Sequence, residues 1–572
     1  MKKGSILVVF GGDVPKDAAR RYEKILKGEA LGALLGAGSI YEANALLEEL
    51  AQVKLPDGRR VAKAFTYKGF ELWWIHYNSL YLHFCLSYTQ HKKLLEYLTN
   101  FKHVTLFNPP HKGLFLCYLS AHSIETHLLK SNKFKTPTFL PFGVFLQIIF
   151  TLISVPILAC LRKKVLVYTG DKFERNKDYD FRMKFVYEEM RKRGIPFVEF
   201  IRGIESWKNV ISHAWTRRRP VVYADGILFL ARFLSAISCG HRRARKMFGP
   251  HLFSREAPEN RFKLLLSTQF VLGVYDDIWA IKIASTILRM IGVRTAFIPA
   301  GSERSFHTLL ATKIRNIPSV GILHGAASRF YNTYDFMPGF DGSRSLSVGE
   351  YGLWSEWWRE YYTKYSKVLR PEQLVVSGPM RPYIAKSNNT QEAPSPDREV
   401  RVLFVSEQLA VPAEAGVYLE KLLEAKDVSV FISFRVDRDG FENWLKANRP
   451  DILAQIPSER IIRTGIMDAL AQVDVAVGSH STGVLEALYT MKCPIFYETS
   501  KWGDYFNLRE HPSDYSFIVA SPEALVEAVK AAPNIPQKEL DRLKERFFGD
   551  PTRNGSKWVV DELEKNLNTS AV

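Results

Sequence analysis

The chain has 572 residues, 46% hydrophobic and 24% charged, enough for about two to four domains with large cores and unlike a disordered polymer. Lys and Arg outnumber Asp and Glu 78 to 60, a net charge of +18, which suggests an anionic partner: nucleic acid, an acidic membrane surface or a phosphorylated substrate. No RNA-binding signature, zinc-finger spacing or long Lys/Arg block is present, so no nucleic-acid partner is expected. Cys85, Cys117, Cys160, Cys239 and Cys493 are scattered without a C-x-x-C pair. That pattern fits a reducing compartment and argues against a disulfide framework or a zinc site.

The opening "MKKGSILVVFGGD" has an apolar run too short for a signal peptide. It reads as a first strand ending in a Gly-Gly turn, so a cytoplasmic location is expected. Residues 1–130 alternate strand-like and helix-like stretches ("SILVVF", "YEANALLEEL", "FELWWIHY", "HVTLF") and carry no chemical motif. They are expected to form an extra N-terminal α/β region of unassigned role. Residues 131–163 differ. "TFLPFGVFLQIIFTLISVPILACL", Thr138 to Leu161, is 24 residues without a charge, long enough to span a bilayer. Lys130, Lys133 and Lys135 precede it, and Arg162, Lys163 and Lys164 follow it, so the flanks do not orient a span. Pro141 and Pro156 also interrupt it. The expectation is monotopic insertion at the cytoplasmic face of the inner membrane, with basic flanks on anionic headgroups. A true span and a buried core helix are the alternatives.

From Lys164 the pattern is regular: strand "KVLVYTG", amphipathic helix "DYDFRMKFVYEEMRKRG", strand "PFVEFIRG". "LSTQFVLGVYD" precedes a helix through "WAIKIASTILRMIG"; strand "VRTAFIPAG", helix "RSFHTLLATKIRN" and strand "SVGILHGAA" follow. Strands alternating with helices imply a doubly wound parallel sheet over 164–387. "NNTQEAPSPD", within 388–398, reads as an exposed linker. A second α/β series occupies 399–572 and ends in helices. The expected architecture is two Rossmann-like domains facing across a cleft, with ligands outside the C-terminal ends of their strands.

"VGSHSTGVLEALYTMKCPIFYE", Val477 to Glu498, sets a Gly/Ser/Thr loop between a short buried strand and a helix. Such a loop presents N–H groups and hydroxyls at a helix N-terminus, where a phosphate is favoured. Ser481 and Thr482 would donate to a pyrophosphate, or simply cap the helix. Glu486 would accept two hydrogen bonds from a ribose diol, or be a helix-dipole partner. Arg381 and Arg435, just beyond strands, are candidates to neutralise phosphate, against a reading as surface arginines. Glu303 and His324 each follow a strand and would meet at one cleft rim, where either is a candidate general base. Gly325 would let a ligand approach the backbone closely. His307 reads as structural, and Trp354, Trp357 and Trp358 as aromatic packing, with sugar stacking as the alternative.

Residues 164 to about 567 resemble glycosyltransferases of the GT-B fold. In those enzymes a strand, a Gly/Ser/Thr loop, a helix with a Glu and a K-x-P-I/V strand bind a nucleotide diphosphate. The matching residues are Gly478, Ser479, Ser481, Thr482, Gly483, Glu486, Lys492 and Pro494. "AGSERSFHTLLATKIRNIPSVGILHGAA" resembles bacterial surface-carbohydrate and capsule transferases and their relatives, the CDP-glycerol glycerophosphotransferases, with Glu303, His324 and Gly325 in the matching places. "LVVSGPMRP" resembles their inter-domain V-x-G-x-P-R segment. "FISFRVD" lacks the His-Pro of many relatives, which leaves the role of Arg435 open, and the loop lacks the glycerophosphotransferase Asp. The resemblance implies a metal-independent transferase without a cofactor. Its implied partners are a nucleotide-sugar donor, a glycan or lipid-linked glycan acceptor and an anionic membrane surface. A teichoic-acid-type glycerophosphotransferase, a nucleotide-sugar epimerase and a non-catalytic scaffold of a glycan export complex are the rival readings.

Overall fold

The structure is a computed structural model. It describes residues 2–11, 21–36, 38–55, 57–129, 140–161, 164–170, 183–202, 207–217, 219–248, 258–299, 305–329, 335–381, 399–407, 411–435 and 440–569. Among the described residues, three parallel sheets follow one another.

The first sheet belongs to the N-terminal region. Its strands are β1 (Lys2–Val9) and β2 (Tyr22–Leu26), then β5 (His103–Phe107) and β6 (Glu125–Leu129), in the order β2-β1-β5-β6. Between them β3 (Thr66–Tyr67) and β4 (Phe70–Glu71) form a small antiparallel pair. "FELWWIHY" folds mostly as a helix, Trp73–Leu80, with Trp73 and Trp74 buried. That helix docks on a 34-residue helix of the next domain, Pro258–Ile291, which runs unbroken through "LSTQFVLGVYD" and "WAIKIASTILRMIG". Buried Asp277 of the long helix holds His76 (2.5 Å) and His307 (2.8 Å), so His307 is structural here. Burial alone would raise the Asp277 pKa. The charge of His76 and the hydrogen bond from His307 outweigh it and take the carboxyl down to about 2.

The second sheet comprises β7 (Val165–Thr169), β8 (Phe197–Ile201), β9 (Val222–Tyr223), β10 (Thr295–Phe297), β11 (Ser319–Ile322), β12 (Glu350–Leu353) and β13 (Leu374–Val376), ordered β13-β12-β11-β10-β7-β8-β9. β7 is buried at every position, as a central parallel strand must be when helices cover both faces. β10 and β11 are parallel neighbours joined by the helix Phe306–Ile314, the expected βαβ unit. The third sheet holds β14 (Val400–Val405), β15 (Val428–Ser433), β16 (Ile461–Ile462), β17 (Val475–Gly478), β18 (Cys493–Tyr497) and β19 (Ile518–Val519), ordered β16-β15-β14-β17-β18-β19.

The last helix, Gly555–Thr569, does not stay with the third sheet, beside which the sequence reading groups it. Its Val559, Val560 and Leu563 pack with Val165, Val167, Val320 and Ile322 of the second sheet. Arg193 ties it down through Asp561 (2.6 Å) and Glu564 (2.7 Å). Two parallel-sheet domains, with the chain's end returning to the first of them, make the GT-B arrangement. Trp354 and Trp358 are buried in the seam between the domains. Trp354 stacks on Phe548 and Trp358 donates to the Phe547 carbonyl (3.0 Å), so both are packing residues.

The apolar segment forms a helix, Leu140–Leu161, the one helix among the described residues long and apolar enough to cross a membrane. One side packs on β9 and on the helices Trp207–Arg217, Ala224–Ile237 and Pro258–Ile291, with Val155 and Leu158 in the core. The other side is exposed.

Candidate active site

β14 and β17 are adjacent and parallel, with Phe404 opposite Val477. Extending that register sets the residues after β14 beside the Gly/Ser/Thr loop after β17. Glu407 is the result. Its buried carboxylate Oε1 accepts the backbone N–H groups of Ser479 (2.9 Å), His480 (2.9 Å) and Ser481 (2.7 Å). Ser479 Oγ and His480 Nδ1 (2.9 Å) hold Oε2. Gly478 makes this approach possible, because a Cβ there would stand 2.7 Å from Oε1. Burial alone would raise the Glu407 pKa; the His480 charge and the bonds from His480 and Ser479 hold it below the usual range.

This differs from the expectation of a loop whose amides await a phosphate. Three of those amides already serve an internal carboxylate, and Ser479 is buried beneath them. The helix that follows is also short: Thr482–Leu485 tightens into a 3₁₀ turn, Glu486–Thr490, which ends at Met491 with φ of 54°. Ser481 Oγ caps it, accepting from the Gly483 N–H (3.1 Å).

Thr482 does something else. Its Oγ1 accepts the Ala326 N–H (2.8 Å) from the other domain. A Cβ on Gly325 would lie 3.6 Å from the same oxygen. The His324–Gly325–Ala326 turn after β11 therefore meets the Ser481–Thr482 turn after β17 directly. Tyr505 adds a second bridge, its hydroxyl accepting the Ser328 N–H (3.2 Å). Beside them Arg381, from the segment after β13, faces Glu486 at 3.7 Å. Burial raises the Glu486 pKa, and Arg381 partly offsets it. His324 is exposed, two residues beyond β11. Arg435 is exposed, two residues beyond β15. Glu303 lies outside the described residues.

Gly325, Arg381, Thr482 and Glu486 thus meet at one seam, while Ser479 is turned to an internal role. Sequence reasoning missed Glu407, His480 and Tyr505. Glu407 carried a signal, an acidic residue just past the apolar strand "VRVLFV", the same signal that singled out Glu303. Asp335 was also missed. It is half-buried against the hydroxyls of Tyr351 (3.0 Å) and Tyr362 (3.2 Å), and desolvation of the carboxyl, only partly offset by those hydrogen bonds, pushes it up to about 6.

No family model matches this sequence, and no curated protein matches it. Among solved structures the chain is similar to MurG from Acinetobacter baumannii, with a TM-score of 0.38 and 12% identity over 70% of this chain and 99% of that one. It is similar to Anabaena HepE in complex with UDP-glucose, with a TM-score of 0.42 and 11% identity over 70% and 99%. It is also similar to UDP-GlcNAc 2-epimerase from Neisseria meningitidis, with a TM-score of 0.40 and 12% identity over 70% and 100%. Likeness at this level assigns no activity to the chain.

Proposed function

We propose that the protein is a glycosyltransferase that moves a sugar from a nucleotide-sugar donor onto a lipid-linked surface glycan at the cytoplasmic face of a membrane. The observation that carries this reading is the meeting of donor-side and acceptor-side groups at one seam, with Thr482 on Ala326 and Arg381 on Glu486. In this reading Glu486 takes the ribose diol. Its present partner, Arg381, then turns to the diphosphate, where a guanidinium binds best. Ser481 and Thr482 touch the phosphates from a loop that Glu407 holds in shape, with Gly483 giving close access to the backbone. Arg435 reaches the donor from the end of β15. A preorganised set of dipoles and cations stabilises the leaving diphosphate, so no metal or cofactor is called for.

His324 stands at the rim on the acceptor side, and Glu303 follows β10, the neighbouring strand, in the sequence. One takes the proton of the acceptor hydroxyl and the other orients it. The test is calorimetric titration with a panel of nucleotide sugars. At least one should bind, and Glu486→Ala should weaken it by roughly 1.5–3 kcal/mol, the worth of a charged hydrogen-bond partner. Unchanged affinity in that variant removes the ribose assignment, and no binding by any donor removes the function.

A further inference from the structure

A helix on a water-facing surface turns its polar side chains out and its apolar ones in. The helix Leu140–Leu161 does the reverse. Gln147, Thr151 and Ser154, one face at helical spacing, are buried, and Thr151 Oγ1 accepts the Tyr223 N–H (3.0 Å). Phe142, Phe145, Leu152, Ile153, Ile157 and Leu161 point outward, each 45–61% exposed.

The adjoining helices extend this face. Ile211 and Trp215 on Trp207–Arg217, and Phe229, Phe233 and Ile237 on Ala224–Ile237, are exposed at four-residue spacing. Cations lie beside it: Arg232 on the same helix, and Arg242, Arg243 and Lys246 on the next, Gly240–Phe248. Because its inner side is packed into a sheet domain, the helix cannot cross a bilayer without taking polar backbone into hydrocarbon. It can lie in one leaflet, with the cations at the headgroups.

A cavity of about 300 Å³ sits within this platform, between Leu140–Leu161, Ala224–Ile237 and the C-terminal half of Pro258–Ile291. Leu152, Pro156, Leu230, Ile283, Ile287 and Met290 form most of its wall, and no charged residue lines it. Leu152 and Met290 belong to the exposed surface as well, so the cavity opens onto the apolar face. Such a lining excludes a phosphate or a sugar ring and suits a saturated or isoprenoid chain.

We propose that this groove holds one hydrocarbon chain of an anionic membrane lipid while the surrounding face rests in the leaflet. The proposal depends on the membrane-surface part of the function above and not on the sugar chemistry. Apolar lining at the groove matches the chain of such a lipid, and the cations farther along the same face, Arg232 near Asp276 (3.9 Å) and those on Gly240–Phe248, match an anionic headgroup layer.

The full chain, purified from membranes in detergent, should carry about one lipid per protein in an organic extract read by mass spectrometry. It should float with vesicles of phosphatidylcholine containing phosphatidylglycerol, and less with phosphatidylcholine alone. Leu230→Trp and Met290→Trp, which narrow the groove separately, should each lower retained lipid at least about tenfold, the effect of excluding roughly two methylenes. Flotation and thermal unfolding should stay unchanged in both. The double variant Phe229→Ser, Phe233→Ser should lose flotation. Retention that is unchanged in the folded Trp variants overturns the groove. If neither variant folds, the wild-type extract decides: no retained lipid overturns the proposal. Equal flotation on both vesicle types overturns the anionic preference. A wild-type dimer that the double variant disperses, without flotation, shows that a second copy covers the face. Donor calorimetry is read separately, so its failure touches the sugar reading alone.

Discussion

Asp335 is the residue whose chemistry is easiest to separate from its neighbours. Burial lifts its carboxyl from the ordinary 3.8 to about 6, so the folded protein keeps the proton up to about pH 6, where the unfolded chain has lost it. The stability this contributes is fully present below the unfolded pKa and is lost as pH rises through about 6. A shift of this size corresponds to roughly 3 kcal/mol between those limits. Denaturant unfolding between these pH values should therefore show falling stability in the wild type and a flatter profile in Asp335→Asn. An identical slope in both would place the pH dependence elsewhere. None of this was legible in the sequence, because "YNTYDFMPGF" gives no sign that two tyrosines from separate elements will close over the aspartate.

Among the elements, the unit β17, its loop and the following helix shows what sequence does and does not reveal. Strand, turn and helix were readable from the apolar run, the glycines and the hydroxyls. The occupant of the loop was not, since Glu407 is far away in sequence and reaches it only through the β14–β17 register. Removing that carboxylate should cost about 3–5 kcal/mol, the usual result of breaking a buried charged partner. Glu407→Ala should also speed amide exchange at Ser479, His480 and Ser481 ahead of global unfolding, with Glu407→Gln intermediate. Exchange that accelerates evenly across the domain would deny the loop its special dependence. The apolar helix carries a similar lesson. Its length and lack of charge were plain, but which side faces outward required its neighbours, since Gln147, Thr151 and Ser154 look like the wet face until the fold buries them.

At the scale of the whole molecule, alternating strands and helices with a linker foretold two Rossmann-like domains, and the second and third sheets are those domains. The return of Gly555–Thr569 to the second sheet was not foretold, because an apolar stripe says that a helix packs but not against which partner. That helix, the Thr482–Ala326 bond and the Tyr505–Ser328 bond fix how the candidate residues face one another. The central claim is that sugar transfer occurs at this seam. The most direct measurement follows a labelled sugar from its nucleotide into the lipid extract of membranes, with wild-type protein and with His324→Ala. The wild type should transfer the label, and the variant should do so about 10²–10⁴-fold more slowly with donor affinity unchanged, as loss of a general base or its orienting partner requires. Absence of transfer from every nucleotide sugar, or equal rates in the two proteins, would contradict the account.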